Sequence, residues 1–101
     1  MVVEINADNF KEKVRGKCVV DFFATWCPPC KMLAPVLEEV SNEQKGVAFY
    51  KVNVDENVSL ASEYGIAHVP TLILFENGAP KNKISGFVPK ENLEKFIQGT
   101  A

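Results

Sequence analysis

The feature that most constrains the fold is a junction at which a continuous apolar run gives way to a helical pattern carrying two cysteines. The apolar run covers residues 18–24, and the helix is predicted to begin at Pro28-Pro29. A strand that is apolar at almost every position is typical of one buried on both faces of a sheet. Cys27 and Cys30 stand three positions apart, so they can close a disulfide and reopen it. The junction therefore indicates an α/β protein with a redox-active pair at the start of a helix.

The cysteine pair has two other interpretations, a metal site and a structural disulfide. A closed zinc site needs four ligands, and the chain adds only Cys18 and His68, neither in a paired-ligand spacing. An iron–sulfur cluster lacks ligands in the same way. A structural disulfide across so short a loop would remove little entropy from the unfolded chain. We therefore expect no metal and no cofactor, and we favour dithiol chemistry.

Length and composition predict a single domain covering residues 1–101. The chain is 47% hydrophobic and 24% charged, which is ordinary for a soluble globular protein. A formal net charge of −2 gives no electrostatic reason to expect nucleic acid or membrane partners. No apolar stretch approaches the roughly 20 residues of a membrane span, and Glu4, Asn6 and Asp8 interrupt any signal-peptide core. We expect a cytoplasmic monomer; the alternative is an exported protein that has lost its signal.

Hydrophobic periodicity and turn residues predict the element order βαβαβαββα. Strands are predicted at residues 2–5, 18–24, 47–54, 71–75 and 81–87. Helices are predicted from a cap at Asn6 or Asp8 to Gly16, from 28 to Gly46, from 57 to 64 before Gly65, and from Pro89 onward. The early crossovers should be parallel βαβ units, and the tight Asn77-Gly78 turn should make the last two strands antiparallel.

The second predicted helix carries an apolar face with helical spacing. Pro35 falls inside this helix and is predicted to kink it. The apolar positions of the face are Met32, Leu33, Val36, Leu37 and Val40.

Several blocks of the sequence together carry a family resemblance. They lie at residues 21–35, around Trp26-Cys27-Pro28-Pro29-Cys30, and at 51–55, 64–66, 69–72, 75–78 and 86. In these blocks the chain resembles the thioredoxin family over essentially its whole length. The resemblance implies a thioredoxin fold, with a mixed five-stranded sheet flanked by four helices on both faces. It also implies a dithiol–disulfide oxidoreductase that acts on disulfide-containing proteins and is reduced by thioredoxin reductase.

Two residues depart from the pattern of the family. Pro28 stands where the family commonly has glycine between the cysteines, and Phe23 stands where it often has tryptophan. Because proline has no N–H group, neither Pro28 nor Pro29 can donate a hydrogen bond to the sulfur of Cys27. The amide of Cys30 or of a later residue must do so. The two prolines either tune the redox equilibrium or serve only as a rigid helix start.

The position of each cysteine predicts its role. Cys27 is expected to be the attacking nucleophile, since the dipole of a helix N-terminus favours a charged sulfur. Cys30 is expected to attack the mixed disulfide that results. Asp21 is a carboxylate inside an apolar strand, where burial raises a pKa; the resemblance implies a proton acceptor for Cys30, and the alternative is an acid facing water. Lys51 is either its charge partner or an exposed strand lysine.

The substrate surface is predicted around the cysteines. Trp26 should cover the thiols, or else serve in simple packing. The resemblance implies that Pro70 is cis and lies against the cysteines, so that the Val69 backbone can pair with an extended substrate. Gly86 would leave a shallow opening beside them, or only mark a bulge. The full predicted set is Trp26, Pro28, Pro29, Val69, Pro70 and Gly86.

Two residues with reactive side chains are given no role in this site. His68 is interpreted as facing solvent, with substrate choice or proton transfer as the alternative. Cys18 is interpreted as a small, inert core residue.

The sequence thus predicts a cytoplasmic enzyme that reduces protein disulfides. Two alternatives stay open at this point. One is an oxidant or isomerase of exported proteins, and the other is a binding module with the same fold whose thiols are incidental.

Overall fold

A computed structural model of the protein describes residues 1–99, so the last two residues of the predicted 1–101 domain lie outside the described part. The predicted order of elements is confirmed over this range. The elements are β1 (Val2–Glu4), α1 (Phe10–Lys13), β2 (Cys18–Phe23), α2 (Pro28–Glu43), β3 (Ala48–Asn53), α3 (Val58–Glu63), β4 (Thr71–Glu76), β5 (Ala79–Ser85) and α4 (Lys90–Gln98).

The strands form one mixed five-stranded sheet in the order β1-β3-β2-β4-β5. The pairs β1–β3 and β2–β3 are parallel, whereas β2–β4 and β4–β5 are antiparallel. The parallel pairs follow from the helical crossovers, which return the chain to the same end of the sheet. The last pair is antiparallel because Asn77-Gly78 reverses the chain with both residues at positive φ. The predicted fold class is therefore confirmed.

Each face of the sheet carries its own apolar core. Successive residues of β2 point to opposite faces, so Val19 and Val20 belong to different cores. The core on the Val19 face contains buried residues of α2 and α4, and that on the Val20 face contains residues of α1 and α3. Because both faces are covered, β2 can be apolar along almost its whole length.

The start of the first helix differs from the prediction. Asn9 occupies the N-cap of α1, not Asn6 or Asp8, and the C-cap is Val14, two residues before Gly16. The side chain of Asn6 accepts hydrogen bonds from the amides of Asp8 and Asn9, and Asn9 bonds back to the Asn6 amide. These side chains therefore build a turn in front of the helix, a conformation that asparagine favours.

The buried face of α2 also differs in part from the predicted one. Met32 is 59% exposed, although Leu33, Leu37 and Val40 are buried as predicted. One residue corresponds to about 100° around a helix, and the line through Cys30, Leu33 and Leu37 faces the sheet, so Met32 turns away from it. The helix is continuous across Pro35, and the predicted kink stays a prediction.

The last hairpin begins and ends earlier than predicted. Because the turn contains only Asn77 and Gly78, pairing resumes at once between Glu76 and Ala79, and β5 ends at Ser85. Pro89 is the N-cap of α4, with an extended ψ of 162°, rather than its first helical residue. Within residues 1–99, none of the helices has the length and hydropathy that a membrane span requires.

Candidate active site

The two cysteines of the junction are joined by a disulfide at the N-terminus of α2. Cys27 is the N-cap residue, with an extended backbone, and Pro28 and Pro29 take the first helical positions. The Cys27 and Cys30 Cα atoms are 5.2 Å apart. Proline suits a helix start because its fixed φ is already helical and its missing N–H would have no partner within the helix. The sequence thus places the reactive pair where the helix dipole is positive.

The sulfur of Cys27 occupies the position of a helix-capping atom. The amide of Cys30 donates a hydrogen bond to it over 3.2 Å, as expected from the two prolines that precede it. A hydrogen bond and a positive helix end both stabilise a negative charge on this sulfur. The sulfur of Cys27 is therefore the better placed of the two to exist as a thiolate when the pair is reduced. Solvent exposure does not distinguish the two cysteines, because Cys27 is 2% and Cys30 is 5% exposed.

The loop before β4 closes the site from the other side. The Val69–Pro70 peptide bond is cis, as predicted, and the Val69 carbonyl oxygen lies 3.5 Å from the Cys27 sulfur. The amide of Gly86 donates a hydrogen bond to the Pro70 carbonyl oxygen over 2.8 Å. Gly86 has a φ of 90°, a conformation that residues with a side chain rarely adopt. The structure thus joins Val69, Pro70 and Gly86 in one region, in which Val69 lies against Cys27.

Trp26 lies on the surface and is held by Asp55, a residue that was not predicted from the sequence. Its side chain is 64% exposed, and its indole N–H donates a hydrogen bond to the Asp55 carboxylate over 2.9 Å. Asp55 could have been predicted from its position just after β3. Because β2 and β3 are parallel, their ends lie at the same edge of the sheet, and Trp26 follows β2. The predicted cover of Trp26 over the thiols stays a prediction.

Asp21 is buried in the middle of β2, directly opposite Lys51 of β3. No group in residues 1–99 forms a hydrogen bond with its Oδ1 atom. Burial raises the pKa of this carboxyl to about 7, and the positive charge of Lys51 acts in the opposite direction with a smaller effect. Desolvation dominates because a carboxylate loses its water shell without gaining a direct partner.

Lys51 is a neighbour of Asp21 rather than a tight ion-pair partner. Within the described range, the ion pairs with N···O distances up to 4.0 Å do not include these two residues. The Lys51 ammonium group instead lies 5.4 Å from the centre of the Phe23 ring, a distance suited to a cation–π contact.

A cavity of about 220 Å³ is shared by Asp21 and Cys30. Asp21, Cys30 and Lys51 all contribute to its lining. A group with a pKa near 7 that shares a cavity with a thiol can exchange a proton with it near neutral pH. Chemically, the arrangement offers a stabilised sulfur on Cys27 and a proton acceptor near Cys30.

His68 and Cys18 lie in the environments predicted from the sequence. His68 is exposed. Cys18 is buried in the core on the Val20 face, apart from the small cluster that contains Cys27 and Cys30. Burial raises the pKa of its thiol to about 11, which disfavours the reactive thiolate. Among residues 1–99, no group of three or more histidine, cysteine or acidic side chains is arranged to hold a metal ion.

A mixed sheet with a cysteine pair at a helix start, facing a cis-proline loop, defines the class of dithiol–disulfide oxidoreductases. Comparison with known proteins agrees with this class. The model of the thioredoxin family matches residues 1–99. The thioredoxin of Staphylococcus saprophyticus is 46% identical over 99 residues, covering 96% of this chain and 95% of its own. That of Staphylococcus aureus is 48% identical over 98 residues, covering 95% and 94%.

A solved structure leads to the same family. The crystal structure of a thioredoxin from Malassezia sympodialis has a TM-score of 0.86 and 40% identity, covering 99% of this chain and 94% of its own. The chain belongs to the thioredoxin family, and it is a thiol–disulfide oxidoreductase.

Proposed function

We propose that the protein is a single-domain, monomeric cytoplasmic reductant of protein disulfides, in which Cys27 attacks and Cys30 resolves. The observation that carries this assignment is the hydrogen bond from the Cys30 amide to the Cys27 sulfur at the start of α2. It favours the thiolate of Cys27. A thiolate, not a thiol, opens a disulfide.

The first step is an exchange at the substrate disulfide. The Cys27 thiolate attacks one substrate sulfur, a bond forms between these sulfurs, and the substrate S–S bond breaks. The released substrate thiolate takes a proton. The substrate is then held on Cys27 as a mixed disulfide.

The second step releases the product. Asp21, in its carboxylate form, takes the proton of the Cys30 thiol through the cavity that both residues line. The Cys30 thiolate attacks the Cys27 sulfur, the bond to the substrate breaks, and the second substrate thiolate leaves and takes up a proton. In total the substrate gains two electrons and two protons, and Cys27 and Cys30 return to the disulfide.

The backbone of Val69 is proposed to hold the substrate. Within the described range, its amide donates to no protein group, so an extended segment can pair with it as a short additional strand. Trp26, Pro28 and Pro29 are exposed on either side of Cys27 in the chain, and they are proposed to supply apolar contact. Pro70 and Gly86, which are joined by a backbone hydrogen bond, are proposed to form the wall behind the bound segment.

The electron donor is proposed to be a thioredoxin reductase. The family relation supports this partner. Pro28 is proposed to be a variant position of the family motif that sets the reduction potential, and thus whether electrons flow toward substrates.

Trapping of intermediates tests the roles of the cysteines. A Cys30→Ser protein should hold substrates on Cys27 as mixed disulfides that dithiothreitol releases, because the resolving thiol is gone. A Cys27→Ser protein serves as the matched control and should hold few. Capture by the control alone would reverse the two roles. Partner binding that survives the double Cys27→Ser, Cys30→Ser change unaltered would favour a binding module instead.

Equilibration with glutathione tests the direction of electron flow. A potential near the reducing end of known dithiol proteins, about −270 mV, together with reduction by an NADPH-dependent reductase, is expected. A potential near that of strong oxidants, about −120 mV, would identify an oxidant.

A further inference from the structure

The hydroxyl groups of Thr71 and Ser85 form a chain of hydrogen bonds beneath the loop that faces the cysteines. Thr71 begins β4 directly after Pro70, and its side chain is 1% exposed. Its Oγ1 atom lies 2.6 Å from the His68 carbonyl oxygen and 3.1 Å from the Ser85 hydroxyl oxygen. Ser85 is the residue directly opposite Thr71 on β5.

The direction of this chain follows from the number of hydrogens. A carbonyl oxygen cannot donate, so the single hydroxyl hydrogen of Thr71 goes to His68. The other contact can form only if the Ser85 hydroxyl donates to Thr71. The chain therefore runs from Ser85 through Thr71 to the His68 carbonyl, and both hydrogen-bonding functions of the buried Thr71 hydroxyl are used.

The carbonyl groups of His68 and Pro70, on either side of Val69, are both connected by hydrogen bonds to the end of β5 or to Gly86, which follows it. The His68 carbonyl is held through Thr71 and Ser85, and the Pro70 carbonyl is held by the amide of Gly86. Only the carbonyl of Val69 points to the Cys27 sulfur, 3.5 Å away. The loop is thus fastened at the positions before and after the residue that faces the reactive sulfur.

We propose that Thr71 and Ser85 are positioning residues that hold the Val69 backbone in place for extended disulfide substrates. This inference rests on the proposed function, since it concerns the substrate edge at Val69. Neither hydroxyl needs to touch the reacting sulfurs. A disulfide within a polypeptide must pair with the Val69 backbone while it meets Cys27, whereas a small disulfide without a peptide backbone needs only Cys27. Loss of the hydroxyl chain should therefore affect the two kinds of substrate differently.

The test compares two substrates in single-turnover stopped-flow reactions of the pre-reduced protein. One substrate is insulin, and the other is dithiobis(nitrobenzoate), which has no backbone. Thr71→Val keeps the shape of the side chain and removes both hydrogen bonds. It should lower the rate constant with insulin about tenfold, equivalent to about 1.4 kcal/mol, and that with the small disulfide less than about twofold. Thr71→Ser restores the hydroxyl and should restore the ratio of the two rates.

Ser41→Ala is the matched control. The Ser41 hydroxyl is also buried and also donates to a backbone carbonyl, that of Glu38, over 2.7 Å, but it lies within α2. Its removal should lower stability by a similar amount and leave the ratio of rates unchanged. If Ser41→Ala lowers the ratio of the insulin rate constant to the small-disulfide rate constant as much as Thr71→Val does, the effect is one of general stability and the proposal is overturned. An unchanged ratio in Thr71→Val would also overturn it.

Ser85→Ala decides the question if Thr71→Val does not fold. Ser85 is exposed, and its loss removes the donor to Thr71 without opening the core. The rate constant with insulin should fall about threefold, whereas the rate constant with the small disulfide should stay unchanged. No change in the ratio of the two rate constants would overturn the proposal. Wild-type protein that reduces neither substrate would instead contradict the proposed function itself.

Discussion

The carboxyl of Asp21 is the residue whose environment departs most from that in water. It is buried, its Oδ1 atom has no hydrogen-bond partner within residues 1–99, and its pKa is raised to about 7. Near neutral pH the group therefore exists in both protonation states. A group that both accepts and releases a proton at that pH suits the deprotonation of a thiol.

Asp21→Asn should stabilise the oxidised protein at high pH and much less at low pH. The folded pKa, about 7, lies above the unfolded value near 3.8, so the folded state binds the proton more tightly. The contribution of this carboxyl to the free energy of unfolding is fully present below pH 4 and is lost as pH rises toward 7. The free energy of unfolding falls by about 4 kcal/mol at most, because each pKa unit corresponds to about 1.36 kcal/mol. Urea unfolding at pH 4 and pH 8 measures the difference.

Asp8→Asn is the control for this prediction, because it makes the same chemical change at an exposed site. It should show no comparable difference between the two pH values. An Asp21→Asn protein whose gain in stability is equal at pH 4 and pH 8 would contradict the raised pKa. The same variant should resolve mixed disulfides more slowly; an unchanged rate from pH 6 to 9 would remove Asp21 from the mechanism.

Lys51→Met should raise the pKa of Asp21 further. The positive charge of Lys51 lowers that pKa, although no ion pair joins the two groups. Its removal leaves desolvation unopposed. Titration of the Asp21 carboxyl by NMR in the oxidised protein measures the change, with Lys11→Met as an exposed control. A pKa that stays in place or falls would show that Lys51 has no electrostatic effect on Asp21.

At the scale of elements, the start of α2 combines a structural and a chemical task. Two prolines begin the helix and remove the first two amides that could reach the Cys27 sulfur. The Cys30 amide is therefore the first available donor, and it is used. The same residues that begin the helix thus determine which hydrogen bonds a Cys27 thiolate can receive.

Pro28→Gly should shift the reduction potential by at least about 30 mV, which corresponds to about 1.4 kcal/mol in the dithiol–disulfide equilibrium. Glycine would restore an N–H group near the Cys27 sulfur and add backbone freedom, and both act on that equilibrium. Equilibration with glutathione, followed by Trp26 fluorescence, measures the shift. Pro28→Ala restores the amide with less freedom and separates the two causes. Potentials that agree within a few millivolts would mean that Pro28 is only a rigid helix start.

Elements with strong local signals were predictable from the sequence. The apolar run of β2, the prolines of α2 and the Asn77-Gly78 turn each limit the backbone within a few residues, and their elements were placed nearly correctly. The cap at Asn9 was missed because the side chains of Asn6 and Asn9 each accept a hydrogen bond from the other residue's amide, and the helix begins only after this turn. The exposure of Met32 depends on which line of α2 faces the sheet, and this is decided by packing.

The residues of the candidate site were predictable where they belong to a short sequence motif. Cys27, Cys30 and Pro70 are recognised by such motifs. Asp55 was missed because its contact with Trp26 joins residues 29 positions apart, and it exists only because β2 and β3 end at the same edge. Thr71 was missed for a related reason, since its role depends on the register between β4 and β5.

At the scale of the whole molecule, the redox pair lies at one edge of a sheet whose two faces are packed independently of it. The large cores contain residues of all four helices, whereas Cys27 and Cys30 belong to a small separate cluster with Ala24. A carrier of electrons must stay folded as dithiol and as disulfide. This separation of core and site makes that possible.

Reduction of the disulfide should therefore cost little stability. The bond closes a loop of only four residues, for which the loss of chain entropy is worth about 2 kcal/mol. Leu33→Ala, in the core of α2, should cost more, about 2–5 kcal/mol. Urea unfolding of the oxidised protein, of the dithiothreitol-reduced protein and of the Leu33→Ala variant gives the comparison. If reduction alone unfolds the protein, or costs clearly more than Leu33→Ala, the disulfide is a structural support and the two cores do not suffice to hold the fold.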